Sequence, residues 1–255
     1  MPLRVGFDLD GTVADMHSAL RREAVQLFGE EVLRRAVQKP EVPGGSAMET
    51  PAVAAETAAN ALKDRSADPE DDTATNQELH ELHLNARQQM QLWEHVKKIN
   101  DFWMTLSELE PGIISRIAKA AADRRWEVIF LTTRPSTAGE LVQLQSQRWL
   151  ESHGFRYPSV YVVQRSRGRI ADALQLDAFV DDRPENCLDI AVESKAKVIL
   201  IWQGDLADVP PGAKRLGVRA VTTISEALSL LEQLDDVRNK PGFVRTLKRA
   251  FRSGE

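Results

Sequence analysis

FDLDGT, residues Phe7 to Thr12, closes a short apolar run that begins at Leu3 and sets two carboxylates, Asp8 and Asp10, two positions apart. The run reads as a buried strand, where an unpaired charge costs several kcal/mol. Two acids and a glycine at its mouth therefore mark a place where something compensates them. Along an extended chain residues i and i+2 point the same way, so Asp8 and Asp10 can face one site together.

Four further runs share the character of the first, LRVGFDL (3–9): WEVIFLT (126–132), SVYVV (159–163), AFVDD (178–182) and AKVILIW (196–202). Each is apolar without alternation, the pattern of strands covered on both faces. Helical patterns separate them. Gly112 to Arg124 carries Ile113, Ile114, Ile117, Ala118 and Ala121 at helical spacing, and Ala138 to His153 ends before Gly154, a residue suited to a helix C-cap. Strands alternating with helices predict an α/β fold, a Rossmann-like parallel sheet of about five strands with helices on both faces.

One gap breaks this rhythm. About a hundred residues separate the first strand from the second, whereas a right-handed crossover needs only about a dozen. Ser18 to Gln38 and Asn76 to Leu109 read as long helices, the second carrying Leu79, Leu82, Met90, Trp93, Val96, Phe102, Trp103 and Leu106. They predict an α-helical cap inserted into the sheet domain. Between them Lys39 to Thr75 lacks aromatic residues and holds Pro40, Pro43, Gly44, Gly45, Pro51, Pro69 and the acidic run Glu70 to Asp72. Such a stretch buries too little to offset its ordering entropy and reads as mostly disordered. The expected organisation is a core of 1–15 and 110–232, a helical insertion of 16–109 with 39–75 disordered, and a basic tail of 233–255.

In open parallel sheets, ligands bind beyond the carboxyl ends of the strands, near the point where strand order reverses. Three strands here end in reactive polar residues: FDLDGT after the first, LTTR (131–134) after the second and VDDRPEN (180–186) after the fourth. Asp181 and Asp182 add to the charge of Asp8 and Asp10, a clustering that a divalent cation would make tolerable. Oxygen ligands with no His or Cys partner point to Mg²⁺ rather than zinc.

Together these motifs resemble those of the haloacid dehalogenase superfamily. Asp8-Leu9-Asp10-Gly11-Thr12 is similar to its first motif, Thr132 at a strand end to its second, Arg169 before a short helix to its basic third, and Asp181-Asp182 to its fourth. The likeness covers the whole chain except Lys39 to Thr75 and the tail. An insertion directly after the first motif resembles the superfamily's helical cap, and with a double-aspartate fourth motif it is similar, more loosely, to the 5'-nucleotidases. The resemblance implies a Mg²⁺-dependent phosphatase working through an aspartyl-phosphate. Asp8 would be the nucleophile, and Asp10 would protonate the leaving oxygen and then activate water. Mg²⁺ would be held by Asp8, the Asp10 carbonyl and Asp181, with Asp182 further out. Thr132, Arg169 and the backbone beside Gly11 would hold the phosphoryl oxygens.

Several positions have rivals. The superfamily's third motif is most often lysine, but Arg165-Ser166-Arg167-Gly168-Arg169 contains none, and Arg167 competes with Arg169 for the role. Thr133 competes with Thr132. Arg134 either meets substrate or pairs with an acid of the cap. His80 and His83, at i and i+3, fit a solvated helix face better than a metal site. Trp93, Phe102 and Trp103 fit a cap core better than a base-stacking platform, and Cys187 reads as a small buried residue.

The 255 residues carry a net charge of −5 and one cysteine, which excludes an internal disulfide and gives no overall attraction to nucleic acid or anionic membrane. The N-terminus carries an acid-bearing strand where a signal peptide would be cationic and apolar, and no run approaches the length of a membrane span. A cytoplasmic location is expected. The basic tail places Phe243, Leu247 and Phe251 at helical spacing among arginines and lysine, so it could dock on an acidic surface or a membrane, or simply be solvated. Two function classes follow: an enzyme hydrolysing a small phosphorylated metabolite, a nucleotide being one candidate, or a non-catalytic phospho-ligand sensor or scaffold on the same fold.

Overall fold

The computed structural model describes residues 2–30, 82 and 84–239. Its strands are β1 (Arg4–Asp8), β2 (Ala14–Asp15), β3 (Ser107–Glu108), β4 (Glu127–Thr132), β5 (Ser159–Val162), β6 (Ala178–Asp181), β7 (Lys197–Ile201) and β8 (Arg219–Val221). The helices are α1 (Met16–Phe28), α2 (Ala86–Val96), α3 (Ile113–Arg124), α4 (Val142–Ser152), α5 (Arg167–Ala173), α6 (Pro184–Glu193), α7 (Pro211–Arg215) and α8 (Ile224–Asn239). Single 3₁₀ turns occupy Phe102–Thr105 and Leu206–Asp208.

Six strands form one parallel sheet in the order β5-β4-β1-β6-β7-β8. The five expected strands are all present, and the α/β Rossmann-like class holds. The sixth, β8, has only one fully buried residue in three and no apolar run to announce it. Right-handed crossovers put α3 and α4 on one face and α5, α6 and α7 on the other, and α8 packs against α3. Double coverage explains the unbroken apolar runs of the inner strands, as in β1, where Val5, Gly6, Phe7 and Asp8 are all buried, whereas the edge strand β5, also read as covered on both faces, buries only Val160. Gly6 is required by close approach, since a Cβ there would overlap the Phe179 ring.

After β1 the chain turns sharply. Val13 and Ala14 both donate to the Leu9 carbonyl, and β2 then pairs antiparallel with β3. By its contacts the chain divides into two compact units, Met1–Leu20 with Trp93–Glu255 and Arg21–Leu92. In the second, Ala24, Leu82, Leu84 and Leu92 are buried, Arg21 pairs with Glu30, and Arg22 pairs with Glu23.

The helix expected from Asn76 to Leu109 is not continuous over the described residues. Helix α2 ends at Val96, Asp101 adopts a left-handed φ of 50°, and Phe102 and Trp103 sit fully buried in the 3₁₀ turn that follows. These two aromatics belong to the unit that contains the sheet, not to a separate cap core. Their loop is tied to the one after β4, with the Asp101 amide donating to the Ala138 carbonyl and the Asp101 carboxylate accepting from the Glu140 amide, each at 2.8 Å. Lys39 to Thr75, His80, His83, residues 31–38 of the first expected helix and residues 240–255 of the expected tail lie outside the described residues, whereas 233–239, also expected in the tail, continue α8 instead. Among the described residues no helix is long and apolar enough to cross a membrane.

Candidate active site

The chain runs from β1 to β4 and β5 on one side, then returns to β6, β7 and β8 on the other. Strand order thus reverses about β1, and the carboxyl ends of β1, β4 and β6 lie side by side, with Asp8 level with Leu131 and Asp181 level with Leu200. Asp8, Thr132 and Asp181 end three adjacent strands. All three side chains are buried.

One nitrogen of Arg167 joins two of the acids. Its Nη1 donates to Asp8 Oδ1 at 2.5 Å and to Asp181 Oδ2 at 2.7 Å. Asp181 also accepts from the Arg183 amide and from Asn186 Nδ2. Asp182 accepts from the Thr12 hydroxyl at 3.0 Å. Gly11, at a φ of +80°, lies so close to Asp182 that a Cβ would overlap its carboxylate, so glycine is needed there for conformation and for space.

Of the two arginines expected to compete for the third-motif role, Arg167 and not Arg169 is the one that reaches the acids. Ser166 caps α5 by accepting from the Arg169 amide and donates to Asp189 on α6, while the Gly168 amide donates to Asp189 Oδ2 at 2.9 Å. Those contacts fix the rotation of α5. Positions 167 and 169 are then about 200° apart around the helix, so Arg167 turns inward and Arg169 faces solvent. The signal for this was Ser166: as N-cap it makes Arg167 the first helical residue.

Asp10 stands apart from the other acids. Its carboxylate accepts from Arg134 Nε at 2.8 and 3.0 Å, from Arg134 Nη2 at 2.7 Å and from the Thr132 hydroxyl at 3.2 Å. Thr132 therefore points its proton at Asp10, while half-buried Thr133 follows it in the loop. Arg134 does not pair with an acid of the cap. Its side chain is fully buried and its partner is Asp10.

Asp8, Asp181 and Asp182 offer carboxylate oxygens that lie within 4.8 Å of one another. The side chain of Asp10 is not in this group, and the role expected for Asp10 is that of its carbonyl. Burial, and after it the charges of Asp181 and Asp10, push the Asp8 carboxyl up to about 7 against the pull of Arg167. Burial opposes the charge of Arg167, but Asp8 and Asp181 outweigh it and hold the guanidinium above its ordinary value. With all three ionised, three carboxylates against one guanidinium leave two negative charges, the deficit a divalent cation would cancel. An all-oxygen donor set fits a hard ion such as Mg²⁺. Cys187 is buried, and burial followed by Asp181 and Asp182 pushes its thiol well up, so it is not a thiolate nucleophile.

Neither a protein-family model nor a curated protein matches the chain. Solved structures do. A dehalogenase with intermediate complex is 19% identical, with 90% of this chain and 96% of that one covered and a TM-score of 0.50. A haloacid dehalogenase-like family hydrolase from Xanthomonas campestris is 17% identical over 92% and 96%, with a TM-score of 0.45. A HAD family hydrolase from Deinococcus radiodurans with bound phosphate and sodium is 13% identical over 91% and 96%, with a TM-score of 0.47.

Proposed function

We propose that this chain, whose fold is that of the haloacid dehalogenase-like proteins, is a Mg²⁺-dependent hydrolase of small phosphate monoesters working through an aspartyl-phosphate. The observation that carries the reading is Asp8, buried at the end of the central strand, bridged by Arg167 to Asp181 and grouped with Asp182.

In this reading Asp8 attacks phosphorus through Oδ2, the oxygen not engaged by Arg167, and the ester oxygen leaves with a proton from Asp10. Arg167 holds Asp8 in place and presents positive charge to the phosphoryl oxygens. Asp10 then takes a proton from the water that hydrolyses the acyl phosphate and returns Asp8. Asp8, Asp181, Asp182 and the Asp10 carbonyl would hold Mg²⁺, which when bound offsets the repulsion between carboxylate and phosphate. Substrate choice is assigned to the 16–109 insertion.

A phosphate-ester panel including nucleotides, assayed with Mg²⁺ and with chelator, tests this reading. Metal-dependent release of phosphate, with a phosphorylated protein trapped by rapid quench, is expected. A wild type that binds an ester with Mg²⁺ and never turns it over would replace the enzyme with a non-catalytic sensor on the same fold.

A further inference from the structure

Arg134 is held more tightly than an ordinary strand-end residue. Its three guanidinium nitrogens each have a partner, Nε and Nη2 on Asp10 and Nη1 on the Ser146 hydroxyl at 2.9 Å. The guanidinium carbon lies 4.9 Å from the centroid of the Trp103 ring and 5.8 Å from that of Trp149, within cation–π range of both. The two indoles are themselves fixed, Trp103 donating to the Pro135 carbonyl at 3.0 Å and Trp149 to the Leu106 carbonyl at 2.8 Å. Stability does not require such a device. A packed apolar pair often serves a core as well as a buried ion pair.

We infer that Arg134 is a positioning residue: clamped between two tryptophans, it fixes the plane and place of the Asp10 carboxylate and acts on the reaction only through it. The planar fork of arginine matches a carboxylate at two points, which a lysine cannot do. A side chain with no exposed surface presents no N–H to a substrate, so Arg134 contributes to the reaction and not to ground-state binding. The kinetic part of this inference rests on the phosphatase reading. The pairing itself does not.

The test uses the full chain, 4-nitrophenyl phosphate and Mg²⁺, with Arg134→Met, Arg134→Lys, Asp10→Asn and the Arg134→Met/Asp10→Asn double variant. Arg134→Met is expected to lower kcat about 100-fold, the usual cost of a misplaced reacting group, with KM changed less than about threefold, and Arg134→Lys to recover only part of the loss. The double variant is expected to be no slower than Asp10→Asn alone. A raised KM at unchanged kcat, or a double variant slower by the full Arg134→Met factor, would overturn the inference. Should Arg134→Met not fold, wild-type kcat in Arg134→Lys does so instead. Thermal unfolding of the same four proteins reads the pair without turnover, and a coupling of at least about tenfold in the unfolding constant is expected. Coupling in a wild type that hydrolyses no ester would defeat the phosphatase reading and keep the clamp. Additive unfolding effects would defeat the clamp whatever the activity.

Discussion

Arg167 stands 2.5 Å from Asp8, and the nitrogen that makes this contact also reaches Asp181. One cation from the start of α5 thus joins the ends of two neighbouring strands. The acid given the role of nucleophile has one oxygen tied down and the other free.

Asp8→Asn should abolish turnover and the phosphorylated protein, because the amide is not a nucleophile and removes charge from the metal group. The fold should survive, since relieving repulsion among buried carboxylates favours the metal-free site. Rapid-quench labelling and a melting curve on one preparation check both points. Wild-type turnover in Asp8→Asn, with contaminating phosphatase excluded, would refute the mechanism.

Arg167 and Arg169 should differ sharply. Removing one partner of a buried ion pair costs about 3–5 kcal/mol, so Arg167→Met should melt well below wild type in chelator and regain part of the loss with Mg²⁺. Its turnover should fall by at least about 100-fold. Arg169→Ala, at an exposed position, should stay within about 0.5 kcal/mol of wild type in stability. Comparable defects in the two variants would contradict the geometry.

The metal-free protein should lose stability as pH rises. Asp8, pushed up to about 7, keeps a proton in the folded chain that the unfolded chain has already released above its ordinary value of 3.8. The folded state therefore binds more protons between those two values, and its stability falls across that window as pH climbs. Saturating Mg²⁺ competes for the same oxygens and should flatten or reverse the trend. Melting temperatures from pH 5 to pH 8, in chelator and in Mg²⁺, measure it, and Asp8→Asn should remove the difference between the two series.

Gly168→Ala should impair activity without altering any polar group of the site. A Cβ there would overlap the Asp189 carbonyl on α6, so α5 must shift and carry Arg167 with it. A cost of about 1–3 kcal/mol is expected from the overpacking, with kcat reduced in proportion to the displacement of Arg167. Unchanged kcat would show that α5 can move without disturbing the Asp8 contact.

The sheet was legible because strands buried on both faces write themselves as uninterrupted apolar runs, and the position of the acids followed from the ends of those runs. What escaped was decided by contacts between distant segments. Arg167 and Arg169 differ only in the rotation of α5, which Asp189, some twenty residues on, sets. Arg134 was visible, but its partner Asp10 lies 124 positions earlier. Phe102 and Trp103 continue the apolar spacing of α2, and only the left-handed turn at Asp101 reveals that the helix has ended. β8 is too short to carry a period.

The order of the strands also governs how the protein must be made. Asp8 meets Arg167 across 159 positions, and Thr12 meets Asp182 across 170. Ribosomes deliver these partners at about 5–20 residues per second, so β1 waits roughly 8–35 s with one edge unpaired before β6 can pair with it. Parallel pairings over such separations form slowly because loop closure precedes any gain from contact. Until then a nascent chain exposes an unpaired strand edge, and during that interval a chaperone has something to hold.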